Sequence, residues 1–326
     1  MAVTQSTRNI IAAGICLGMA GSACAERAFE FEASYLNRSD AGSDLSVDSD
    51  TGEDMSARDA NLGHGLGFTV SVRNDTSDGE QLIGSFSYFG SWDGSDKLVS
   101  ADEDIDPVSE LQSDDDDFTD AYLHSISYES RLLGAELSKT MQLSNPSANA
   151  FYGVSFLSLD EEFEWHSQDN AAGNTPGTNG YGQYNIETDN RLIGLVAGIN
   201  AERKIGAKST LLGSLKLGVY ANRAKQTSHM ENDVDLVAPD IGDGSKKEWK
   251  AAGLLQGRVG IEFTPKQNMQ VRVGYQALYL SNVALAPDQI TFGGELAGSA
   301  LDSRLSKLDT DHILLHGPYL GLHISF

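Results

Sequence analysis

Counted back from the carboxy terminus, every second residue of ILLHGPYLGLHISF falls on an apolar face: Phe326, Ile324, Leu322, Leu320 and Pro318. The alternate face carries Ser325, His323, Gly321, Tyr319 and Gly317. A period of two with one greasy face is the pattern of a β-strand. It recurs in MQVRVGYQALYL, where Val271, Val273, Tyr275, Ala277 and Tyr279 alternate with Gln270, Arg272, Gly274 and Gln276. In WKAAGLLQGRVGIEF, Trp249, Leu255, Val259, Ile261 and Phe263 oppose Lys250, Gln256, Arg258 and Glu262. Strands are expected over roughly 27–38, 62–74, 80–92, 118–142, 149–165, 185–204, 209–226, 248–264, 269–281 and 309–326.

The connections alternate in length. DTSDG, LSNPSA, a turn centred on IGAK, and PKQN are short, whereas 39–61, 93–117, 166–184, 227–247 and 282–308 are long and polar. Tight turns at one end and long loops at the other are the layout of a transmembrane barrel, and an even strand count returns both termini to the periplasmic side. A soluble sandwich would have to cap its core with five long acidic loops. The expected fold is therefore all-β, a single antiparallel up-and-down transmembrane β-barrel of about ten strands over 26–326. A turn inside YESRLL would split 118–142, giving eleven strands and reversing the alternation; one long strand rising above the membrane keeps it.

In such a barrel the apolar set faces lipid and the polar set the lumen. Trp92, Trp165 and Trp249 fall at outer strand ends, and Phe31, Phe263 and Phe326 near periplasmic ends, as interfacial girdles would place them. Trp165 has the parity of the lumen and is expected on the upper rim. Phe326 closes the last strand facing lipid, where barrel assembly machinery could read it as an assembly signal. Inward parity makes Glu136, Glu161, Lys216, Arg258, Glu262 and Arg272 lumen-lining, together with Glu30 and Glu32. Mixed charge in a confined space predicts ion pairs that partly fill it. Barrels of about eight strands hold only side chains or one small ligand, and open aqueous channels need about 16. A narrow lumen follows.

The first 25 residues form a separate object. Arg8, the apolar run IIAAGICLGMA and Ala23-Cys24-Ala25 before Glu26 make up the three parts of a cleavable secretory signal over 1–25. A buried amino-terminal helix is the competing reading, and Gly21 argues against a lipoprotein signal at Cys24. Both cysteines lie within this segment, so the remaining chain has no disulfide, thiolate site or cysteine nucleophile. Mean hydropathy is −0.28, and no apolar stretch reaches the roughly 18 residues of a membrane-spanning helix. With 23 Lys and Arg against 47 Asp and Glu, the chain carries −24 and repels nucleic acid. The five long loops hold 27 of the acids and six of the bases, hence −21 of that charge, which predicts a cation-favouring outer mouth.

The sequence VRVGYQALYLSNVALAPDQI followed by ILLHGPYLGLHISF resembles the carboxy-terminal signature of the beta-barrel porin family numbered seven. TDNRLIGLVAG is similar to that family's N-x-L-x-G-x-Q-x-G strand, and YESRLLGAELS to its Y-x-S-x-L-x-x-x-E-x-N strand. The resemblance spans roughly 118–326 and implies an outer-membrane barrel of a Gram-negative bacterium, a porin without a settled substrate. Val196 stands where the family has glutamine, Ser138 where it has asparagine, Ser155 where it has arginine and His323 where it has an acid. All four have inward parity, so the family's lumen chemistry does not carry over.

The chain has no G-x-S-x-G, P-loop, H-E-x-x-H or clustered Cys/His ligands, so no catalytic residue is assigned. Asp311, His312 and His316 in TDHILLHG are the one hint of an outer-membrane hydrolase; histidines hydrogen-bonding at a barrel rim are the simpler reading. The acid runs DEDID (102–106), DDDD (114–117) and DSDTGED (48–54) offer oxygen ligands for Ca²⁺, against the simpler reading of solvated, self-repelling loops. No other cofactor is expected. The expected function is a narrow, non-enzymatic channel for small solutes or cations, with outer-membrane lipid around it. A closed-lumen barrel serving as a surface or adhesion scaffold is the alternative.

Overall fold

Alternation closes these segments on themselves. The computed structural model describes residues 27–39, 42–76, 80–108, 118–145, 147–169, 180–232, 240–290 and 308–326. The proposed signal over 1–25 lies outside them, as does the DDDD run. The barrel strands are β1 (Arg27–Arg38), β4 (His64–Asp75), β5 (Gln81–Val99), β7 (Leu123–Gln142) and β8 (Ala148–Gln168). They continue with β9 (Tyr181–Lys204), β10 (Ser209–Asn232), β11 (Asp240–Lys266), β12 (Met269–Val283) and β13 (Asp311–Ser325). Each pairs antiparallel with the next, and β13 pairs with β1 to close a ten-stranded barrel. Strand β7 is continuous through YESRLL and paired on both sides, so no turn interrupts it. Three short strands, β2 (Asp44–Asp48), β3 (Asp54–Ser56) and β6 (Ile105–Pro107), make a separate sheet from the first two long loops.

The outer face carries an apolar belt. On β9, Ile193, Leu195 and Ile199 point outward, Leu195 with 70 % of its surface exposed; on β10, Leu215, Leu217 and Val219 do the same. Charges bound the belt. Below it lie Lys139, paired with Glu80, and the exposed Arg203. Above it lie Arg131 and Arg191, the latter bridging Asp160 at 2.7 Å and Asp189 at 3.1 Å. An apolar band about 25 Å tall between polar margins is what a bilayer demands of a barrel. Strands β7 to β11 continue past the upper margin, because their 20 to 27 residues exceed the 12 to 15 of β1, β4, β12 and β13. Much of what sequence reading assigned to the loops 93–117, 166–184 and 227–247 is thus strand, a wall rising outside the membrane.

Inside that wall the barrel is packed. Leu45, Met55, Ile105 and Phe118 from the first loops are fully buried in one cluster with Trp92, Phe163, Trp165, Tyr184 and Leu285. This overturns the girdle reading for two tryptophans. A bulge in β5 moves the register from Phe89↔Leu132 to Trp92↔Ser130, one extra residue on β5. Below it Ile83, Ser85 and Ser87 line the interior; above it the even positions do, so Trp92 turns inward and donates from Nε1 to the Leu36 carbonyl at 3.0 Å. One inserted residue inverts the faces of a strand. Trp165 keeps its inward parity but does not sit on a rim; Phe118 and His124 pack edge-on against it at 5.1 and 5.3 Å. Trp249 does lie on the outer face, 69 % exposed.

Candidate functional site

Two polar constellations sit within the barrel, and an apolar layer separates them. The upper one packs a neck. Asn282, with φ of 57°, turns the chain after β12 inward, so Ala284–Ala286 lie buried inside the barrel instead of looping over it. Asn190 of β9 receives this segment as a strand would: its Oδ1 accepts from the Ala284 amide and its Nδ2 donates to the Ala284 carbonyl, both at 2.8 Å. Asn222 of β10 donates to Asn190 at 2.9 Å and to the Asn282 carbonyl at 3.1 Å. Glu161 of β8 accepts from the Ala286 amide at 3.0 Å, from Tyr128 at 2.8 Å and from Ser130 at 3.1 Å. The same carboxylate pairs with Arg38 of β1, which also donates to Tyr128 at 3.0 Å. Both charged side chains have no exposed surface. Buried charges persist only with their partners in place, and here each carboxylate oxygen has two donors.

Asp288, on the short 3₁₀ turn Pro287–Gln289, is the uncompensated group of this plug. Its Oδ2 is buried with no hydrogen-bond donor among the described residues. Burial, reinforced by Asp311, Glu161 and Asp309, pushes its carboxyl up to about 6, with Arg38 opposing.

Below the neck lies a cavity of about 350 Å³ reaching the periplasmic strand ends at Asn149, Asn200 and Glu202. Its roof is apolar, with Phe89, Leu132, Leu157, Leu254 and Leu278. Its walls carry serines, threonines and ion pairs. Arg272 of β12 donates to Glu262 at 2.8 Å and to Glu30 at 2.7 Å, and His323 lies 3.6 Å from Glu30. Lys216 reaches Glu136 at 3.0 Å. Arg258 of β11 pairs with Glu32 on β1, three strands away, passing over the Tyr319 ring at 4.4 Å. That ring needs room: a Cβ on Gly260 or Gly274 would come within 2.6 Å of the Tyr319 side chain, so two glycines facing each other across β11 and β12 form its bed.

The residues expected in the lumen are therefore divided. Glu136, Lys216, Arg258 and Arg272 line the chamber, Glu262 lies buried beneath Arg272, and Glu161 belongs to the neck. The four departures from the family pattern, Ser138, Ser155, Val196 and His323, are all buried with inward parity. Phe326 faces outward with 75 % exposure, its amide bonded to the Arg27 carbonyl at 2.9 Å. His312 and His316 also face outward: His316 bonds Tyr275 at 2.5 Å, and His312 contacts Asp311 at 2.6 Å beside Tyr279. They do not converge on the chamber. Asp48 caps its own turn, accepting from the Thr51 and Asp50 amides at 2.7 and 3.0 Å. Among the described residues, no three acids, histidines or cysteines gather as metal ligands. Sequence reading missed Arg38, Tyr128, Asn190 and Arg73. The first and last carry inward parity and were open to the same alternation; the apolar run Val283–Ala286 inside a supposedly polar loop was the signal for the plug.

No curated protein matches the chain in sequence. Among solved structures it is similar to the toluene transporter TodX of Pseudomonas putida (10 % identity, TM-score 0.39, covering 96 % of this chain and 93 % of that one). It is also similar to the outer membrane protease OmpT of Escherichia coli (9 %, TM-score 0.42, covering 93 % and 96 %) and to the translocator domain of the autotransporter NalP of Neisseria meningitidis (10 %, TM-score 0.38, covering 98 % and 95 %). At these identities and scores none of them lends this barrel a substrate or an activity. Residues 123–326, more than half of the chain and seven of its ten barrel strands, match the model of the family described as Putative beta barrel porin-7, and the chain belongs to that family.

Proposed function

We propose that this barrel is a narrow outer-membrane channel for small solutes that rests closed. The polar chamber is the observation that carries this reading. A barrel serving only as a scaffold would gain from filling that space with apolar side chains, as its outer half does; a cavity of about 350 Å³ walled by charges and hydroxyls has use only if something enters it. The barrier above it is a removable element, held to the wall by side-chain hydrogen bonds from Asn190, Asn222 and Glu161 and outside the strand ladder. The packed outer half favours the scaffold as a second reading. Planar-bilayer recordings of the refolded chain separate the two: brief openings of low conductance, made frequent by Asn190→Ala, support the channel, and silence in both proteins supports the scaffold.

The plug should respond to pH. A carboxyl that titrates higher in the folded barrel than in a free chain stabilises the fold when protonated; this contribution is full below the ordinary carboxyl range and is lost as pH rises through about 6. Protonated Asp288 also no longer repels Glu161, Asp309 and Asp311. Open probability is expected to fall from pH 7.5 to pH 5, and Asp288→Asn should abolish the change. A pH response that survives this substitution would assign it elsewhere.

When open, the channel is expected to prefer cations. The −21 of the outer loops concentrates counter-ions at the mouth, and the preference should weaken as the Debye length falls from about 10 Å at 0.1 M salt to about 3 Å at 1 M. Reversal potentials in KCl gradients test it, before and after changing Asp114 to Asp117 to Asn. Selectivity independent of salt and of these residues would show that loop charge does not set it.

A further inference from the structure

We propose that the chamber is a binding site for a small polar monocarboxylate, which enters from the periplasmic end and is held by Arg73. Four basic side chains line this space: Arg73, Lys216, Arg258 and Arg272. Three are taken, by Glu136, by Glu32 and by the pair Glu30 and Glu262. Arg73 makes no hydrogen bond or ion pair with any described residue; Glu30 and Asp75 act on it only from beyond contact. It projects from β4 opposite Ala28 and Ile83. A guanidinium left with open donors in a partly enclosed space is an anion site in waiting, and its planar fork matches a carboxylate with two parallel bonds.

Two further groups narrow the chemistry. Ser71 lies one inward step up β4 from Arg73, and Ser85 is its cross-strand partner on β5. Both hydroxyls line the chamber, and neither makes a hydrogen bond with a described residue. A ligand with its carboxylate on Arg73 can therefore place a hydroxyl or amide between these serines. Glu30, Glu32 and Glu136 line the same space, so a dianion such as a dicarboxylate or phosphate is repelled while a single negative charge is tolerated. A cation finds Glu30, Glu32 and Glu136 already paired, and among the described residues only Glu202, at the periplasmic end, lines the chamber as a carboxylate outside an ion pair. The volume of about 350 Å³ sets the size: at about 30 Å³ for each water displaced, it admits roughly a dozen heavy atoms.

This inference stands apart from conduction, since binding is read whether or not current flows. The refolded full chain in detergent is titrated calorimetrically with lactate, and with succinate and inorganic phosphate for comparison. Lactate should bind the wild type at least tenfold more tightly than either comparison anion. Arg73→Gln should weaken lactate binding at least tenfold, Arg73→Lys less, and Ser71→Ala and Ser85→Ala a few-fold each. Arg131→Gln, on the outer surface, should leave it unchanged. No lactate binding by the wild type, equal binding of all three anions, or unaltered binding by folded Arg73→Gln overturns the proposal. Heat-modifiable gel mobility establishes which variants are folded. Should Arg73→Gln fail to fold, the two serine variants decide, and full lactate affinity in both overturns it as well.

Discussion

Glu161→Ala is expected to destabilise the barrel by about 3–5 kcal/mol and to raise its conductance. The substitution removes the acceptor for four donors at once: Arg38, Tyr128, Ser130 and the Ala286 amide. Arg38 would remain in a site with no exposed surface after losing the carboxylate it pairs with, and removing one partner of a buried charge pair costs far more than the net worth of the pair. The plug would lose the anchor at Ala286 while keeping the one at Asn190. Glu161→Gln, which keeps the volume and part of the accepting capacity, should fall between. Trp92 and Trp165 lie in the same packed cluster, so tryptophan emission during urea unfolding reports on the neck directly. A Glu161→Ala barrel with wild-type unfolding and no added current would show that the neck is held by its apolar packing alone.

Arg272→Ala is expected to cost a similar amount through opposite charges. Arg272 joins Glu30 on β1 to Glu262 on β11, so its removal leaves two carboxylates close together, with His323 the remaining group within 4 Å of Glu30 among the described ion pairs. The unfavourable contribution is then repulsion and stranded charge, not a lost bond. Changing Glu262→Gln in the same chain should restore more than half of the lost stability. A double-mutant cycle on urea midpoints measures this, with a coupling of at least about 1 kcal/mol expected between contacting residues. Additive effects would mean that the three groups do not form one network. The single variant should also conduct more once the neck is open, because the chamber widens where the guanidinium stood.

Parity is a local property, and it was readable. Leu320 and Leu322 face out and Tyr319 and His323 face in, as the spacing of the last fourteen residues requires, because successive side chains of a strand leave on opposite sides whatever the rest of the chain does. For the same reason the inward set from Glu30 to Arg272 could be named from the sequence. Which charge meets which could not. Arg258 stands four residues from Glu262 on its own strand, yet it pairs with Glu32, 226 residues away. Only closure of β13 onto β1 brings β1 within reach of β11, and only the bed made by Gly260 and Gly274 under Tyr319 clears the way between them.

Trp92 shows the limit from the other side. Its position argued for lipid, and one extra residue between Phe89 and Trp92 reversed it. A bulge is set by how two strands settle against each other, here β5 against β7, and that balance is not written in either strand alone. The plug is similar: Val283–Ala286 is apolar enough to ask for burial, but where it is buried depends on Asn190, Asn222 and Glu161 from three other strands. The sequence by itself thus determined the ten barrel strands in order, the faces of their unbulged stretches and the charge balance, which follow from the period of two, from turn length and from composition. The outer extents of the long strands did not follow from it. Tertiary structure alone decided that the outer half is packed, that a polar chamber remains below it, and that Arg73 faces that chamber with no hydrogen bond or ion pair to a described residue. Those outcomes depend on contacts between residues far apart in the chain, and such contacts exist only once the barrel has closed.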